Sequence, residues 1–442
     1  MRAKKWIILI PVLCAAVYFS WGLLNIWANN NILKYIDSFA PVVYDDTRLV
    51  PKMSEDGHYE ISADRDIKVM HITDIHIGGG IWSLKNDRKS VYELISMLQK
   101  EAPDLVILGG DNTYAVPGIG FNGGFTCNNG RTARSVIHIF EHEKVYFSTV
   151  FGNHDTESYD TATRQEIGNL YMKPEYEYCI FKQEYCDEDA DTVPSVSNQI
   201  IELKDGSGKI TKLLVLLDTN AYVDDKFLSA IFMKYDVIHD KQIEWVASEI
   251  SNLSKAEGLK DGEYLKSVFF AHMPIGEYKL AHDELFDTVY DDKNSFAGYK
   301  ASDKAPQNTE YVWGEWGEKA ICIGGFKDET VKPQDKDRLF EKIGEEMNSM
   351  ELYVCGHDHM NNAYVKYKGI GLLYGYSVDN EAYGTKIKWF GKQRGANVFS
   401  FRKDGTIDIK LKNAYTDYGV DANKFGEVDI TGDLYPDVAR KP

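Results

Sequence analysis

Residues 67–76, with the sequence IKVMHITDIH, join an alternating apolar segment to two side chains that bind metal ions well. The alternation over residues 67–73 predicts a β-strand. Asp74 and His76 follow at its carboxyl end, two positions apart, so in an extended segment both point to the same side. Such strand ends are where α/β proteins build their sites. This stretch predicts an α/β fold with a site that begins at Asp74.

Four further motifs follow along the chain, each at the end of an apolar run that predicts a strand. They are Gly110-Asp111-Asn112, Gly152-Asn153-His154-Asp155, His272 and Gly356-His357-Asp358-His359. Apolar residues at helical spacing separate several of these strands, for example over residues 91–98 and 243–253. Alternating strands and helices predict right-handed crossovers and sheets covered by helices. Two packed sheets with helices outside would accommodate the whole pattern.

The motifs together supply nitrogen and oxygen donors for metal ions. The candidate ligands are Asp74, His76, Asp111, Asn153, His272, His357 and His359. Asp111 can bridge two ions through its two carboxylate oxygens. A mixed set of nitrogen and oxygen donors suits Mn, Fe, Zn or Co better than calcium, which prefers oxygen alone. Two such ions can activate water as hydroxide and clamp phosphoryl oxygens, so the motifs predict a hydrolase of phosphoesters.

The same residues resemble the calcineurin-like metallophosphoesterases, whose pattern is DxH, GDx, GNHD/E, a lone His and GHxH. The resemblance spans residues 67–362, and the sequence AHMPIGEY at 271–278 is similar to the branch related to purple acid phosphatases. It implies a four-layer αββα sandwich of two mixed sheets. It further implies a first metal on Asp74, His76, Asp111 and His359, and a second on Asp111, Asn153, His272 and His357. His154 would then be the general acid, held by Asp155.

One position departs from the purple acid phosphatases within this resemblance. Tyr114 stands where those enzymes have a tyrosine that binds ferric iron, but His76 stands where they carry glycine. With His76 present the tyrosine is not needed as a ligand. Tyr114, and with it Asn112, is therefore expected to contact the substrate or to pack in the pocket.

Charge and hydropathy place the chain at a membrane. Residues 6–24 carry no charge, which is long enough to cross a bilayer as a helix, and Arg2, Lys4 and Lys5 precede them. The positive-inside rule then predicts a cytoplasmic N-terminus and an extracellular domain at the plasma membrane; secretion after signal cleavage is the alternative. The formal net charge is −18, so without those three basic residues the rest of the chain carries −21. That charge argues against a non-specific nucleic-acid binder, but it does not exclude a small phosphorylated substrate.

The predicted organisation has four parts. Residues 1–30 form the basic tip and the membrane anchor, 31–65 a polar stalk, 66–412 the metallophosphoesterase domain and 413–442 a C-terminal tail. An acidic, aromatic insertion at about 274–333 either reaches over the metals to select substrates or is an ordinary surface segment. A phosphomonoesterase is the first expectation. The alternatives are a phosphodiesterase or pyrophosphatase on nucleotide or lipid-linked phosphates, and an inactive metal-binding module. The sequence does not indicate an oligomeric state.

Overall fold

The computed structural model describes residues 2–44, 48–114, 128–187, 195–223, 228, 232, 234–290, 296–302, 306, 308–316, 337–381 and 394–421. Its α-helices are α1 (Arg2–Ile36), α2 (Leu84–Glu101), α3 (Asn129–Glu143), α4 (Arg164–Tyr171), α5 (Asp240–Ala256) and α6 (Gly276–Leu285), and a π-helix covers Phe340–Glu346. The strands are β1 (Lys52–Met53), β2 (Tyr59–Ala63), β3 (Ile67–Ile72), β4 (Leu105–Gly109), β5 (Phe147–Val150), β6 (Tyr185–Asp187), β7 (Ser195–Asp205), β8 (Ile210–Leu216), β9 (Ser267–Phe270), β10 (Phe286–Tyr290), β11 (Phe296–Ala301), β12 (Thr309–Trp313), β13 (Met350–Cys355), β14 (Tyr364–Tyr367), β15 (Ile370–Tyr374), β16 (Gly395–Phe401) and β17 (Ile407–Asn413).

A five-stranded sheet carries the first three motifs. Its order is β17-β16-β3-β4-β5. Strands β3, β4 and β5 run parallel, and α2 and α3 connect them in the way that the alternating pattern predicts. Strand β16 pairs antiparallel with β3, with Asn397 opposite His71, so the sheet is mixed. The carboxyl ends of β3, β4 and β5 meet at one edge, which is the edge that presents the site.

A larger sheet carries the remaining motifs. It has ten strands in the order β1-β2-β7-β8-β9-β13-β15-β14-β12, with β6 paired beside β7. Its centre, β8-β9-β13-β15, is parallel, and its flanks contain antiparallel pairs. Strand β9 leads to His272, and β13 leads to His357. Because the two strands are parallel, both histidines lie at the same edge of this sheet. A separate antiparallel pair consists of β10 and β11.

Three apolar cores show how the layers stack. The middle core contains Val69 and Ile107 from the five-stranded sheet and Leu214, Phe270 and Val354 from the ten-stranded sheet, so the two sheets pack face to face. A second core joins the five-stranded sheet to α1, α2, α3 and α4. A third joins the ten-stranded sheet to α5, α6 and the π-helix. The predicted four-layer αββα sandwich is confirmed.

The N-terminal segment differs in detail from the predicted anchor and stalk. Among the described helices α1 is long and apolar enough to cross a membrane, with a mean hydropathy of 1.6 over an 18-residue window within Ile10–Ile36. It continues without a break to Ile36, which is completely buried in the core beneath α2 and α3. Strand β2, also within the predicted stalk, pairs parallel with β7 and buries Ile61. Residues 31–65 therefore contain helix and sheet that belong to the domain rather than a free stalk.

The described parts of the predicted insertion at 274–333 pack into the domain. Tyr278 in α6 is fully buried, and its hydroxyl lies 2.9 Å from the carbonyl oxygen of Tyr353. Strand β12 forms the edge of the ten-stranded sheet beside β14, and Trp316 is 1% exposed. Residues 291–295, 303–305, 307 and 317–333 of the insertion lie outside the described residues, as does the tail from 422 onward.

Candidate metal centre

The motifs converge where the carboxyl-terminal edges of the two sheets meet, and four of the candidate ligands have left-handed backbone conformations. The φ angles are 53° at Asp74, 50° at His76, 48° at Asp111 and 72° at His357. Such angles cost L-residues roughly 1–2 kcal/mol each, and they cluster where a fold holds side chains for a purpose. Close backbone approach is also needed: a Cβ on Gly152 would collide with Asp111. The loops are therefore shaped by the convergence of their side chains.

Asp74, His76 and His359 form the first group of metal-binding side chains. Single donor atoms from the three lie within 4.8 Å of one another, and all three residues are buried. Nε2 of His359 lies 3.1 Å from Oδ1 of Asp74, and Nε2 of His76 lies 3.7 Å from the same oxygen. This is a pocket of one carboxylate and two imidazoles, the donor types that bind Mn, Fe, Zn or Co.

Asp111, His272 and His357 form the second group, whose donor atoms also lie within 4.8 Å of one another. Oδ2 of Asp111 lies 3.1 Å from Nε2 of His272 and 3.5 Å from Nε2 of His76. One carboxylate oxygen thus approaches a histidine of each group. Nδ1 of His357 lies 3.3 Å from Nε2 of His272. The two groups are adjacent, with Asp111 between them.

Asn153 is the remaining candidate ligand, and it is also buried. Its Nδ2 donates a hydrogen bond of 3.3 Å to the Tyr222 hydroxyl, which leaves Oδ1 buried without a hydrogen-bond partner. Oδ1 of Asp74 and both ring nitrogens of His76 are likewise buried without a hydrogen bond. Each such atom costs about 1–3 kcal/mol if nothing pairs with it. These orphaned donors fit two divalent ions, which would satisfy them together.

Two contacts outside the groups orient the histidine rings. Nδ1 of His359 lies 3.2 Å from Oδ2 of Asp379, and Nδ1 of His272 lies 2.9 Å from the carbonyl oxygen of Gly109. Each contact occupies Nδ1 and turns Nε2 toward the site, which is the usual support of a metal-binding histidine. Asp379 was not among the predicted site residues. It follows His359 by 20 positions and belongs to no motif, so no local pattern marks it.

Burial and charge act in opposite directions on these groups. Burial alone would raise the pKa of Asp74, but His359 beside it holds that pKa well below its usual range. Burial would also raise the pKa of Asp111, but the neighbouring His272 holds that pKa well below its usual range. At His357 burial, with His272 nearby, lowers the pKa to about 3, so that imidazole is neutral as a ligand must be.

His154 lies at the open side of the centre, and its partner is not the predicted one. Its backbone N–H donates a 2.7 Å hydrogen bond to Oδ1 of Asp111, and its side chain is 28% exposed. Nδ1 of the ring lies 2.7 Å from Oε1 of Glu157. Glu157 in turn accepts a hydrogen bond of 3.1 Å from Tyr222, which also contacts Asn153. Glu157 therefore occupies the place expected for Asp155.

Asp155 holds the loops instead. Its Oδ1 accepts backbone hydrogen bonds of 3.0 Å from Asn112 and Thr113, and its Oδ2 accepts one of 2.8 Å from Gly152. Its side chain is buried beneath the site, where burial, together with Asp111, raises its pKa to about 6. The prediction that Asp155 holds the His154 ring is corrected. Three backbone N–H groups from two loops donate to the Asp155 carboxylate and keep it away from the His154 ring. The Glu157 carboxylate accepts no such backbone hydrogen bond among the described residues.

A buried ion pair supports the Asn153 loop from behind. Arg164, near the start of α4, pairs with Asp218 and donates to the carbonyl oxygens of Phe151 and Gly152, at 2.9 Å each. Asp218 also accepts the backbone N–H of Val196 at 2.8 Å. All donors of this buried charge pair therefore have partners, so breaking one member would leave the other uncompensated.

The two expected substrate residues occupy different places. Asn112 is fully buried, and its Nδ2 donates a 3.1 Å hydrogen bond to Thr149, so this amide faces the fold rather than the mouth of the site. The Tyr114 ring packs against the rings of His76 and His154, with centroids 5.2 and 5.0 Å away. Burial raises the pKa of the Tyr114 hydroxyl. Tyr114 therefore forms part of the wall beside the first group.

Known proteins share this sequence pattern. The profile of the calcineurin-like phosphoesterase family matches residues 67–361, which contain both groups of candidate ligands. The chain is 21% identical over 364 residues to a protein of Arabidopsis thaliana named probable inactive purple acid phosphatase 29, covering 78% of this chain and 80% of that protein. One crystal structure aligns over 78% of this chain and 99% of its own, at 10% identity and a TM-score of 0.36. The match of the family profile over most of the chain shows that this protein belongs to the calcineurin-like phosphoesterase family.

Proposed function

We propose that the chain is an active phosphoester hydrolase with a dinuclear metal centre. The first ion would be held by Asp74, His76, Asp111 and His359, and the second by Asp111, Asn153, His272 and His357. The observation that carries this proposal is the position of Asp111 Oδ2, within 3.5 Å of a histidine nitrogen from each group. Asp111, placed between the two groups, would be able to hold both ions of a two-metal site.

When bound, two divalent ions supply a water of lowered pKa and a positive clamp for the phosphoryl oxygens. The chain's own residues do the rest. Among the described histidines of the centre, His154 has the most exposed side chain, so it is the one placed to meet a substrate at the mouth. With Nδ1 beside Glu157, its Nε2 can give a proton to the leaving oxygen. Glu157 orients the ring and stabilises its charged form.

The reaction class that we favour is hydrolysis of phosphomonoesters. A phosphodiesterase or pyrophosphatase acting on nucleotide or lipid-linked phosphates is the second candidate, since the same centre serves both bond types. We propose also that the domain lies outside the cell, from the basic residues ahead of the apolar segment. A reporter fused after residue 45 would test the topology, and the mass of the mature chain would reveal signal cleavage.

A catalytically inactive metal-binding protein is the alternative from another class. Its one support is the name of the Arabidopsis relative, which contains the words "probable inactive". The two groups of candidate ligands argue against an inactive protein. A protein that only binds metal has no need of the pair His154 and Glu157 beside these ligands. Binding of metal alone would also leave the strained conformations at four ligands without a purpose beyond affinity.

The test uses the full-length protein in detergent. Metal content and hydrolysis of p-nitrophenyl phosphate and of its bis-ester are measured for the wild type, Asp111→Asn and the control Asp404→Asn, a substitution in the exposed turn between β16 and β17. We expect two ions per chain and turnover in the wild type and the control, and loss of both in Asp111→Asn. Metal bound without turnover of either ester would favour the inactive alternative. Faster hydrolysis of the bis-ester would favour the phosphodiesterase.

A further inference from the structure

The membrane helix and the domain form one continuous body. Helix α1 carries exposed apolar side chains along its first half, including Leu13, Val17 and Leu23. From Asn25 onward its side chains pack on the domain, and Ala28 and Ile32 are at most 4% exposed. No loop separates the two halves. The apolar half therefore leaves the domain in a fixed direction, and that direction can be read from the contacts of the packed half.

Two contacts of α1, and one of the segment that follows it, show that α1 runs parallel to α2. The amide oxygen of Asn25 accepts a hydrogen bond of 3.0 Å from the backbone of Ile81, just ahead of α2. Farther along, the Arg88 guanidinium lies 3.5 Å from Asn31, and the Tyr44 hydroxyl donates to the carbonyl oxygen of Pro103 after α2 ends.

Helix α2 starts at the site edge of the sheet, because it follows the loop after His76, and it ends at the opposite edge, before β4. Helix α1 therefore also runs away from the site edge. Its apolar first half, which precedes Asn25, extends beyond the site edge of the domain.

The loop that touches the anchor is the one that leaves the metal centre. Ile81 follows His76 by five residues, and a Cβ on Gly80 would collide with the Asn25 amide. Beyond it, Trp82 is 71% exposed and its ring lies 5.4 Å from that of Trp21 on α1. Paired tryptophans at the end of an apolar span are typical of the membrane–water interface. They mark the level of the lipid head groups beside the site loop.

We propose that the site edge faces the bilayer and that the substrate is a phosphate carried by a membrane lipid. This substrate class rests on the hydrolase function proposed above. In the reaction, water bonds to phosphorus as the P–O bond to the lipid-linked oxygen breaks, and that oxygen leaves with a proton. A rigid anchor that aims the site at the head groups raises their effective concentration, whereas it gives no advantage with a phosphate free in solution.

The geometry is tested without any activity. An environment-sensitive fluorescent amino acid replaces Trp82, or Asp404 in the turn after β16, in the full-length protein in phosphatidylcholine vesicles. The β16–β17 turn lies at the opposite edge, since Phe401 pairs with Ile67 at the start of β3. We expect a quencher attached to lipid head groups to quench the label at position 82 strongly and the label at 404 weakly. Equal quenching, or stronger quenching at 404, would overturn the proposed orientation.

The substrate class is tested with an insertion that separates the two halves of α1. A flexible Gly-Ser segment is inserted after Leu24, ahead of the packed residues, and the vesicles carry phosphatidate or a prenyl diphosphate. We expect turnover of at least one of these lipids to fall about 10-fold or more with the insertion, while p-nitrophenyl phosphate turnover stays the same. Equal lipid turnover by both forms, or hydrolysis of the soluble ester alone, would overturn the proposal. Loss of all turnover in the wild type would instead reject the hydrolase function, and the quenching result would still stand.

Discussion

Nδ1 of His154 lies 2.7 Å from Oε1 of Glu157, and the same carboxylate oxygen accepts the hydroxyl of Tyr222 at 3.1 Å. Because Tyr222 also contacts Asn153, a single chain of contacts connects the exposed histidine to a candidate ligand of the second metal. The Glu157 carboxylate thus connects the proposed proton donor to the candidate metal centre, and its removal should change the behaviour of His154.

A double-mutant cycle tests this pair. His154→Ala should lower kcat by about 10²–10⁴-fold with metal content unchanged, because the ring is not among the proposed ligands. Glu157→Gln should lower kcat less, by about 10-fold, since glutamine keeps the size of the side chain beside the ring but carries no charge. In the His154→Ala background, Glu157→Gln should have almost no further effect. Independent, multiplicative losses would mean that Glu157 acts elsewhere.

The contact between Asp379 and His359 predicts an effect on metal affinity. Asp379→Ala frees the His359 ring and removes the charge that makes it a stronger donor, so affinity for the first ion should fall by about 10–100-fold. Titration with Mn or Zn against a competing chelator measures this, with Asp404→Asn as the surface control. The metal affinity of Asp379→Asn should lie between those of Asp379→Ala and Asp404→Asn. Unchanged affinity in Asp379→Ala would show that the contact does not orient the ligand.

The raised pKa of Asp87 predicts that the stability of the folded protein depends on pH. Its buried carboxylate accepts hydrogen bonds from Ser83 and Gly78, and burial, with Glu381 nearby, raises its pKa to about 7. Between the unfolded value of 3.8 and about 7, the folded protein holds a proton that the unfolded chain has lost. The stability that protonated Asp87 gives is therefore present at low pH and is lost as pH rises through about 7.

Asp87→Asn removes this titration. The difference in Tm between Asp87→Asn and the wild type should shift in favour of the variant by about 2–4 °C from about pH 5 to about pH 8. The control is Asp404→Asn, whose Tm difference from the wild type should show no such trend. Arg131 is the other charged residue that lines the small cavity beside Asp87. A Tm difference that is constant across this range would contradict the raised pKa.

Local patterns explain what could be predicted from the sequence. Strands β3 and β4 consist mostly of apolar residues, and the parallel sheet brings the motif at the end of each strand to one edge. Glu157 was missed because Asp155 is adjacent to His154 within the motif, whereas Glu157 follows three positions later and belongs to no motif. The choice between them is made by the N–H groups of Asn112 and Thr113, which arrive from another loop.

Contacts between distant segments also determine the structure of the N-terminal region. Residues 6–33 are uncharged throughout, so composition alone cannot show where the exposed apolar part of α1 ends and its packing on the domain begins. Strand β2 has only five residues, and its place beside β7 depends on pairing across more than 130 positions. The sequence pattern therefore predicted a stalk where the structure has an integrated part of the domain.

The packing of α1 gives a last prediction, for which the helix carries its own control. Ile36 is fully buried among the side chains of the helical core, whereas Ile10 on the same helix is 57% exposed. Ile36→Ala should lower the free energy of unfolding by about 2–5 kcal/mol, because it leaves a cavity in that core. Ile10→Ala should change it by less than about 0.5 kcal/mol in detergent. Denaturant unfolding followed by near-UV circular dichroism measures both. If residues 31–36 were a stalk outside the domain, the two variants would be equally stable.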